Sequence, residues 1–441
     1  MRLLIIDQQG AALDLAIRAK RAGHQVKHFI KKTPKTEHIG RGFVEVVDDF
    51  HPWLNWPDLI FLADNTKYLR EFDTLRDLGV PVVGPSAELA DWELDRQLGQ
   101  SILKKHGVGI APCKEFSDYD RAIAYVKKEN RRFVSKPSGD ADKALSYCAK
   151  TPADMVFMLE RWKRIGKHKA PFILQDFISG IEMAVGAWFG PDGFSPWCEN
   201  FEFKKLMDGD MGVATGEQGT VLRYTARSKL ARKMLEPLTD LLAAKGYVGY
   251  IDVNCIIDEK GQAWPLEFTM RPGWPTFNIQ QQLHTGDPVE WLLDLSQGRP
   301  CRDIWLDEIA VGVVLSVPDY PYSHLTRKEV VGSPIYGLTP ALWHHTAACE
   351  MMMGEAPTDV DGQVQTIPCP LTAGDYVLVM SARASSVYDA KMKAYRRLKR
   401  LTVPNSPMYR TDIGDRLAKQ LPMLQAHGYA TGMQFSTSAT S

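Results

Sequence analysis

Alternating strand and helix patterns across the first ninety residues constrain the fold of this chain more than any other feature. The apolar run RLLIID (2–7) precedes a helical pattern that stops at Gly23, and the alternation continues through DLIFLAD (58–64). This alternation predicts a parallel sheet with helices on its faces. Ligands of such sheets bind beyond the carboxyl ends of the strands, where this chain carries polar segments at 7–10 and 64–66. The Gln-Gln-Gly turn lacks the spacing of a dinucleotide-binding loop.

The rest of the chain changes from mixed patterns to β patterns near residue 300. Strands and helices mix between 89 and 300, with single helices predicted over 88–107 and 227–245. Beyond this point most segments are predicted strands, among them 341–351, and residues 432–441 resemble a disordered tail. The predicted fold class is α/β and α+β, with a parallel α/β region first and a mixed β-rich region last.

The charge balance and the cysteines indicate which partners and which compartment to expect. Lysine plus arginine total 53 and aspartate plus glutamate total 53, so the formal net charge is zero. A neutral chain gives no overall electrostatic reason to bind nucleic acid or an anionic membrane, and we expect neither partner. The seven cysteines are scattered and form no C-x-x-C pair, which favours reduced thiols. With no apolar run of the ~20 residues that a membrane span needs, these features predict a cytoplasmic protein.

Three features of the middle region suit a nucleotide. Lys136 ends an apolar strand before Pro-Ser-Gly, where its ammonium group can reach a phosphate. The strand edge at 175–178 offers backbone groups to an adenine ring, and Glu182 offers a carboxylate to ribose hydroxyls. Each feature taken alone is explained as well by a surface lysine or an ordinary hairpin.

A predicted hairpin between 247 and 268 carries oxygen ligands. Asn254 and Glu267 lie on its two strands, and Thr269 and Arg271 follow Glu267 at alternate positions, so these three share a face. Oxygen ligands beside an arginine suit Mg²⁺ that holds transferred phosphates. An exposed polar sheet face is the alternative, although it does not explain an arginine directly before Pro-Gly.

The order of these features resembles that of the ATP-grasp ligases, in particular the phosphoribosylamine–glycine ligases. The family's DGDxGPNTGGMG loop is similar to DGDMGVATGEQG at 208–219, and its EFNxRFGDPE motif to EFTMRPGWPT at 267–276. Its closing YRxDIGxRA is similar to MYRTDIGDRL at 408–417, and Gly-Pro-Ser at 84–86 also matches. Four colinear motifs are much harder to obtain by chance than one.

The resemblance implies a domain plan and a reaction. The plan is an N-terminal α/β substrate-binding domain over 1–88, an ATP-grasp domain over 89–300 with a small ATP lid at about 110–180, and a C-terminal β-rich domain over 301–441. The reaction joins a small-molecule carboxylate to an amine through an acyl phosphate, as in purine biosynthesis. ATP and Mg²⁺ (or Mn²⁺) are the implied cofactors, and the family expectation is a monomer.

The resemblance also implies a role for each matching residue. Lys136 and Arg271 are the implied catalytic residues, Lys136 on the ATP phosphates and Arg271 on the carboxylate or the transferred phosphoryl group. Glu182 binds the ribose, and Glu267 is the main magnesium ligand, supported by Asn254 and Thr269. The implied adenine contacts are Gln175, Asp176, Phe177 and Ile178, and the remaining substrate contacts, besides Arg271, are Lys205, Asp208, Asp210, Gly212, Thr215 and Gly216.

The departures from the family pattern fall mainly on the substrate side. DQQGAALD at 7–14 replaces GxGGREHA, and GDPE becomes GWPT, so two acids are lost and Trp274 enters. The segment 138–144 is less glycine-rich than the family's phosphate loop, Arg96 replaces a lysine, and Thr269 replaces a metal-binding asparagine. Three explanations stay open: a divergent phosphoribosylamine–glycine ligase, the same chemistry on another carboxylate and amine such as a modified nucleotide or an amino acid, or an inactive nucleotide-binding homologue.

Overall fold

The N-terminal region is a five-stranded parallel sheet, as the alternating patterns predict. The computed structural model describes residues 1–137, 147–166, 171–300, 305–322, 327–404 and 406–436. The strands run in the order β3-β2-β1-β4-β5. Because the order reverses between β1 and β4, the carboxyl ends of these two strands border the crevice where such sheets bind ligands. The elements are β1 (Arg2–Asp7), α1 (Leu13–Arg21), β2 (Gln25–Ile30), β3 (Glu45–Val47), β4 (Leu59–Leu62), α2 (Leu69–Asp77) and β5 (Val82–Val83).

Two helices connect this sheet to the middle region, where the sequence predicts one. They are α3 (Ala87–Leu94) and α4 (Arg96–Lys105). Asp95 separates them because its carboxylate accepts hydrogen bonds from the N–H groups of Gln97 and Leu98, which makes it the N-cap of α4. The prediction of one helix over 88–107 is therefore wrong at this residue.

The lid is a four-stranded sheet with two helices and its own apolar core. Its strands run in the order β6-β9-β7-β8. The core includes Phe116, Phe133, Leu159 and Phe172, and it is separate from the main core. The elements are β6 (Cys113–Phe116), α5 (Tyr119–Glu129), β7 (Phe133–Pro137), β8 (Tyr147–Cys148), α6 (Pro152–Arg164) and β9 (Phe172–Asp176). The glycine-poor segment at 138–144 lies outside the described residues.

A large, mainly antiparallel sheet forms the centre of the molecule. The elements that follow the lid are β10 (Gly180–Gly190), β11 (Gly193–Phe194), β12 (Trp197–Glu202), β13 (Lys205–Met207), β14 (Met211–Ala214), β15 (Gly219–Thr225), α7 (Lys229–Met234), α8 (Thr239–Ala244), β16 (Gly249–Asp258), β17 (Ala263–Thr269), α9 (Thr276–Gln280) and α10 (Glu290–Ser296). The predicted helix over 227–245 is interrupted between α7 and α8, where Pro237 lies in a 3-10 turn. β9 and β10 belong to different sheets, so residues 177–179 connect the lid to the centre.

The C-terminal region extends the same sheet across residue 300. The central order is β17-β16-β10-β12-β15-β18-β22-β19, with β11 paired to β10. The remaining elements are β18 (Ile309–Ser316), α11 (Arg327–Val330), α12 (Pro340–Trp343), β19 (Thr346–Ala348), β20 (Met351–Val360), β21 (Gln363–Thr372), β22 (Tyr376–Ala384), α13 (Val387–Leu398) and α14 (Leu417–Ala426). The strand predicted over 341–351 is mostly replaced by α12 and the short β19. No helix in the described part of the chain is long and apolar enough to cross a membrane.

The start of the predicted disordered tail is ordered. Met433 is fully buried. The carbonyl groups of Gln434 and Phe435 accept hydrogen bonds from the N–H groups of Val387 and Tyr388, at 2.9 and 2.8 Å. These bonds satisfy N–H groups in the first turn of α13 that have no partner within the helix. The tail prediction is therefore wrong for 432–436, and 437–441 lie outside the described residues.

Candidate active site

One face of the central sheet carries a row of polar side chains. Directly opposed residues of antiparallel strands share a face, and so do alternate residues of one strand. Asn254 on β16 is opposite Glu267 on β17 and opposite Ala184 on β10, which is in turn opposite Asn200 on β12. Alternation along the strands extends this face to a set of polar residues: Glu182, Asn200, Glu202, Asp252, Asn254, Glu267 and Thr269.

Lys204 connects the carboxylates of this row. Its Nζ lies 2.6 Å from Oε1 of Glu182 and 3.0 Å from Oε2 of Glu202. The amide of Asn254 donates to the same Glu202 oxygen at 3.2 Å. Burial disfavours the charged form of Lys204, but the carboxylates of Glu202 and Glu182 outweigh burial, and the pKa of Lys204 lies well above its ordinary value. Lys204 therefore stays charged at the centre of the row.

Lys136 reaches the same region from the lid. It lies on β7 and is 8% exposed. Burial, followed by the charge of Arg96, lowers its pKa to about 7, and the carboxylates of Glu267 and Glu182 oppose this shift. Lys136 is therefore within electrostatic range of the polar row, and the two border the cleft between lid and central sheet.

Glu267 and Asn254 present oxygen atoms at the edge of this cleft. Glu267 forms an ion pair with Arg96 at the start of α4. Oδ1 of Asn254 is buried without a hydrogen-bond partner. Thr269 ends β17 opposite Asp252, whose pKa is raised to about 7, first by burial and then by the charge of Glu202. Within the described ranges, no three His, Cys, Asp or Glu side chains are arranged to hold a metal ion.

The predicted adenine segment is the connection between lid and central sheet. Gln175 is buried in the lid sheet. The N–H groups of Asp176 and Phe177 donate to the carbonyls of Pro112 and Arg132, at 2.9 and 3.2 Å. The Asp176 carboxylate pairs with Arg131, and the Arg132 guanidinium lies 3.4 Å from the Phe177 ring. Two arginines therefore flank the segment that leads through Ile178 to β10.

Arg271 lies apart from the polar row, at the crevice of the N-terminal sheet. Its guanidinium is 3.1 Å from Glu93. Glu93 also accepts a hydrogen bond from the side chain of Asn65, at 2.9 Å. Neighbouring Asp64 accepts from the N–H of Gln8 at 2.9 Å, and its pKa is raised to about 7, first by burial and then by the charge of Asp7. The predicted substrate arginine thus faces the carboxyl end of β4.

The loop at 208–216 binds to the C-terminal motif of the same chain. Asp208 accepts a hydrogen bond from the N–H of Thr411 at 2.8 Å. Asp210 pairs with Arg410 at 2.9 Å and with Arg416 at 3.0 Å. The carbonyl of Lys205 accepts a further bond from Arg410 at 3.0 Å. Two motifs that are about 200 residues apart in sequence therefore form one unit, and the aspartates of the loop are engaged with it.

The remaining predicted loop residues lead to a separate cavity. Gly212 and Gly216 have φ angles of +79° and +85°, which favour glycine. Thr215 donates to the carbonyl of Lys204 at 3.1 Å. Thr215 and Gly216 line a cavity of about 350 Å³. The other residues of its wall are Gln9, Gly10, Ala11, Lys35, Glu217, Trp274, Pro275, Asn278, Tyr320, Cys349, Glu350, Asp375 and Tyr376.

Several residues of these sites are absent from the sequence-based prediction. Glu202 and Asp252 belong to the polar row, and a period of two from Asn254 along β16 would have identified Asp252. Glu93 and Glu217 have no local signal, because their partners lie on distant segments. The prediction also assigned Arg271, Asp208 and Asp210 together to substrate binding. The structure places Arg271 beside Glu93 and pairs the two aspartates with the C-terminal motif.

Comparison with known proteins relates this chain to a family of ligases. Residues 95–276 match the family model described as phosphoribosylglycinamide synthetase, ATP-grasp (A) domain. Phosphoribosylamine–glycine ligase from Xanthomonas campestris is 25% identical over 361 residues, covering 78% of this chain and 79% of that protein. The enzyme of that name from Neisseria meningitidis serogroup B is 26% identical, covering 78% and 80%.

A solved structure shows the same fold over almost the whole chain. The crystal structure of phosphoribosylamine–glycine ligase from Thermotoga maritima superposes with a TM-score of 0.70 at 20% identity, covering 94% of this chain and 100% of that one. The region that matches the family model, 95–276, includes the lid, the connection at 177–179 and the hairpin with Glu267. Residues 95–276 therefore form an ATP-grasp domain, and the chain is similar over most of its length to the phosphoribosylamine–glycine ligases.

Proposed function

We propose that this protein is an ATP-dependent carboxylate–amine ligase. The γ-phosphoryl group of ATP passes to a carboxylate oxygen and ADP leaves. The amine nitrogen then attacks the carbonyl carbon, phosphate leaves, one N–H proton is lost and an amide forms. The observation that carries the proposal is the polar row with Glu182, Lys204 and Glu267 on the central sheet, within electrostatic range of Lys136 of the lid. All of these residues lie inside the region that matches the ATP-grasp model.

The ATP side of the cleft supplies positioning and charge. In this proposal Lys136 and Arg96 hold the phosphates, since phosphoryl transfer needs cations around the transferred group. The connection from Gln175 to Ile178 holds the adenine, and Glu182 accepts the ribose hydroxyls. Lys204 supports this role because it fixes the Glu182 carboxylate at 2.6 Å.

The residues at the cleft edge fit Mg²⁺ or Mn²⁺. These cations prefer oxygen ligands and commonly combine one or two carboxylates with phosphate oxygens. Glu267 supplies a carboxylate, and Asn254, directly opposite on β16, has a buried oxygen without a partner. We propose that these two residues, with Thr269 nearby, hold the metal, which neutralises phosphate charge when bound.

On the substrate side, we propose that Arg271 orients the carboxylate. It lies beside Glu93 at the carboxyl end of β4, where a parallel sheet binds its ligands. Lys205 and Thr215 border the amine side, with Gly212 and Gly216 giving the loop its turns. Asp208 and Asp210 act by fixing this loop to Arg410 and Arg416.

Two substrate pairs are compatible with this chemistry. The relatives are named for phosphoribosylamine and glycine, which would place the enzyme in purine biosynthesis. The loop at 7–14 and Trp274 differ from the family on the substrate side. This difference favours another carboxylate and amine, for example a modified nucleotide or an amino acid. We expect the enzyme to act on small molecules in the cytoplasm, as a monomer.

The products of ATP turnover test the proposal. The protein is incubated with Mg²⁺, ATP, phosphoribosylamine and glycine, and in parallel with panels of other carboxylates and amines. ADP and phosphate are expected only when a carboxylate and an amine are both present. AMP and pyrophosphate would exclude the acyl-phosphate route. Formation of glycinamide ribonucleotide would establish the first substrate pair, and failure to bind ATP in calorimetry would favour the inactive homologue.

A further inference from the structure

One glutamate connects the end of β17 to the crevice of the N-terminal sheet. Glu93 is the last residue but one of α3, and its side chain is 16% exposed. Its Oε2 accepts hydrogen bonds from the N–H of Met270 at 2.8 Å and from the side-chain amide of Asn65 at 2.9 Å. Its Oε1 lies 3.1 Å from the guanidinium group of Arg271. A single carboxylate therefore joins a helix, the end of a central strand and the segment that follows β4.

The elements that carry Glu93 and its partners are packed against each other. The neighbouring Trp92 is buried, and the centroid of its ring lies 5.4 Å from that of Phe268 on β17. Met270 is fully buried, and its carbonyl accepts a hydrogen bond from the hydroxyl of Tyr247 at 3.1 Å. Side chains on packed elements are held more precisely than side chains on loops. Glu93 is therefore placed to orient a neighbouring side chain.

Arg271 is a side chain whose orientation depends on such contacts. It follows the end of β17 and is 26% exposed on its side chain. Its Nη1 donates to the carbonyl of the next residue, Pro272, at 3.2 Å. An arginine side chain has several rotatable bonds, and contacts must offset the entropy of holding it in one rotamer. The ion pair with Glu93 ties the guanidinium group to a second element, and this sets the direction in which the group points.

The corner between α3 and α4 also contacts the proposed metal ligand on the same strand. Arg96, three residues after Glu93, forms an ion pair with Glu267. Glu267 lies on β17, four residues before Arg271. The corner therefore pairs a carboxylate with Arg271 and a guanidinium group with Glu267, so one scaffold serves a residue of the substrate side and a residue of the metal site.

We propose that Glu93 is a positioning residue for the carboxylate substrate, which acts by holding the guanidinium group of Arg271 at the carboxyl end of β4. The inference rests on the proposed function and adds a residue to its substrate side. Recognition of a carboxylate by a guanidinium group depends on the orientation of its planar fork, because two parallel N–H groups must point at the two oxygens. Without Glu93, Arg271 loses this orientation and binds the substrate carboxylate more weakly.

Glu93→Gln separates this role from a structural one. The amide oxygen can still accept from Met270 and Asn65, so we expect the protein to fold, whereas the amide N–H₂ group meets Arg271 with donors and no charge. ADP release is measured with glycine and phosphoribosylamine, or with the most active pair from the panels of carboxylates and amines. The KM for the carboxylate should rise about ten-fold or more, while the Kd for ATP in calorimetry stays within about two-fold.

Two further variants frame this result. Glu88→Gln is the matched control, because it lies on the same helix and loses an exposed ion pair with Lys245. It should leave the KM and the Kd unchanged. Glu93→Asp keeps the charge but withdraws it by one methylene group, so it should raise the same KM by a smaller factor.

A double-mutant cycle with Arg271→Met shows whether Glu93 acts through Arg271. In the Arg271→Met chain, Glu93→Gln should lower kcat/KM for the carboxylate no further, because the contact that it removes is already gone. An unchanged KM in Glu93→Gln, an equal weakening of ATP binding, or an equal loss in both backgrounds would overturn the inference and leave the proposed function intact. Absence of ADP release from the unmodified chain with every pair would refute the proposed function, and the inference with it.

Discussion

Lys136 is a buried cation with a pKa of about 7, and this gives ATP binding a predictable pH dependence. Burial and Arg96 lower the pKa in the free protein, whereas bound phosphates would raise it. ATP binding is then coupled to proton uptake. Affinity should be highest below pH 7 and decrease above it, by up to about ten-fold per pH unit until the pKa of the complex is reached. Calorimetry between pH 6 and 9 measures this slope.

Lys136→Arg is the control for that slope. A guanidinium group stays charged throughout this pH range, so its contact with phosphate does not titrate. The variant should bind ATP with an affinity almost independent of pH between 7 and 9. An unchanged slope would assign the titration to another group, such as Asp252, whose pKa is also raised to about 7.

Glu267 is the residue on which metal-assisted transfer depends in the proposed mechanism. Glu267→Gln keeps an oxygen but loses the charge that pairs with Arg96 and binds a cation. Turnover should decrease by about 100-fold or more, while ATP binding is largely retained. Glu259→Gln, at the exposed tip of the same hairpin, should have normal activity. Steady-state ADP release measures both, and full activity of Glu267→Gln would remove Glu267 from the site.

At the scale of elements, the hairpin of β13 and β14 is fixed by the C-terminal motif. Arg410 is 1% exposed on its side chain and pairs with Asp210 and Asp412. Arg410→Met should destabilise the protein by about 1–3 kcal/mol, because the carboxylates lose their partner and Asp210 is only partly buried. Arg396→Met, on the exposed side of α13, should stay within about 0.5 kcal/mol. Urea unfolding monitored by fluorescence compares them, and equal midpoints would contradict the prediction.

Two exposed cysteines lie on the face of the lid where we propose that the nucleotide binds. Cys113, Gln175, Val134 and Cys148 are successive partners across the lid sheet, on the face that carries Lys136. Burial raises the pKa of both thiols, so alkylation by a maleimide should be slow. ATP at ten times its dissociation constant should slow it about ten-fold further. Mass spectrometry measures both rates, and rates independent of ATP would place the nucleotide elsewhere.

The sequence predicts elements and local motifs better than it predicts their partners. Strand alternation is sufficient to place Asn254 and Glu267 on the two strands of one hairpin, but their direct pairing depends on a register shift next to Asn254 that the alternation does not predict. The contact of Asp210 with Arg410 spans 200 residues and depends on the whole fold. Asp95 separates α3 from α4 as an N-cap. The helical spacing of apolar residues continues across Asp95, so a prediction from spacing alone joins the two helices. Local rules therefore predict which strands carry the polar row, whereas tertiary contacts decide how the loop at 208–216 and the C-terminal motif are paired.

At the scale of the whole molecule, one core joins all regions except the lid. Residues of the N-terminal sheet, the central strands and the C-terminal helices belong to the same buried cluster, for example Leu3, Val185, Val311 and Leu421. The lid has a separate core and is connected through 177–179. A lid with its own core can move as a unit when ATP binds, which would exclude water from an acyl phosphate.

The C-terminal region shares the main core and the lid has its own, so we expect opposite outcomes when each of them is deleted. Ending the chain at residue 300 removes β18, whose large apolar side chains are all buried between β15 and β22. Five such side chains at about 2 kcal/mol each amount to roughly 10 kcal/mol, comparable with the whole stability of a typical protein. Excision of 113–175 should instead leave a folded protein, because the N–H of Asp176 bonds to the carbonyl of Pro112 and a short linker can join the ends. Circular dichroism and thermal unfolding of the two proteins test this, and a cooperative unfolding transition in the chain that ends at 300 would show that the central sheet does not depend on its C-terminal strands.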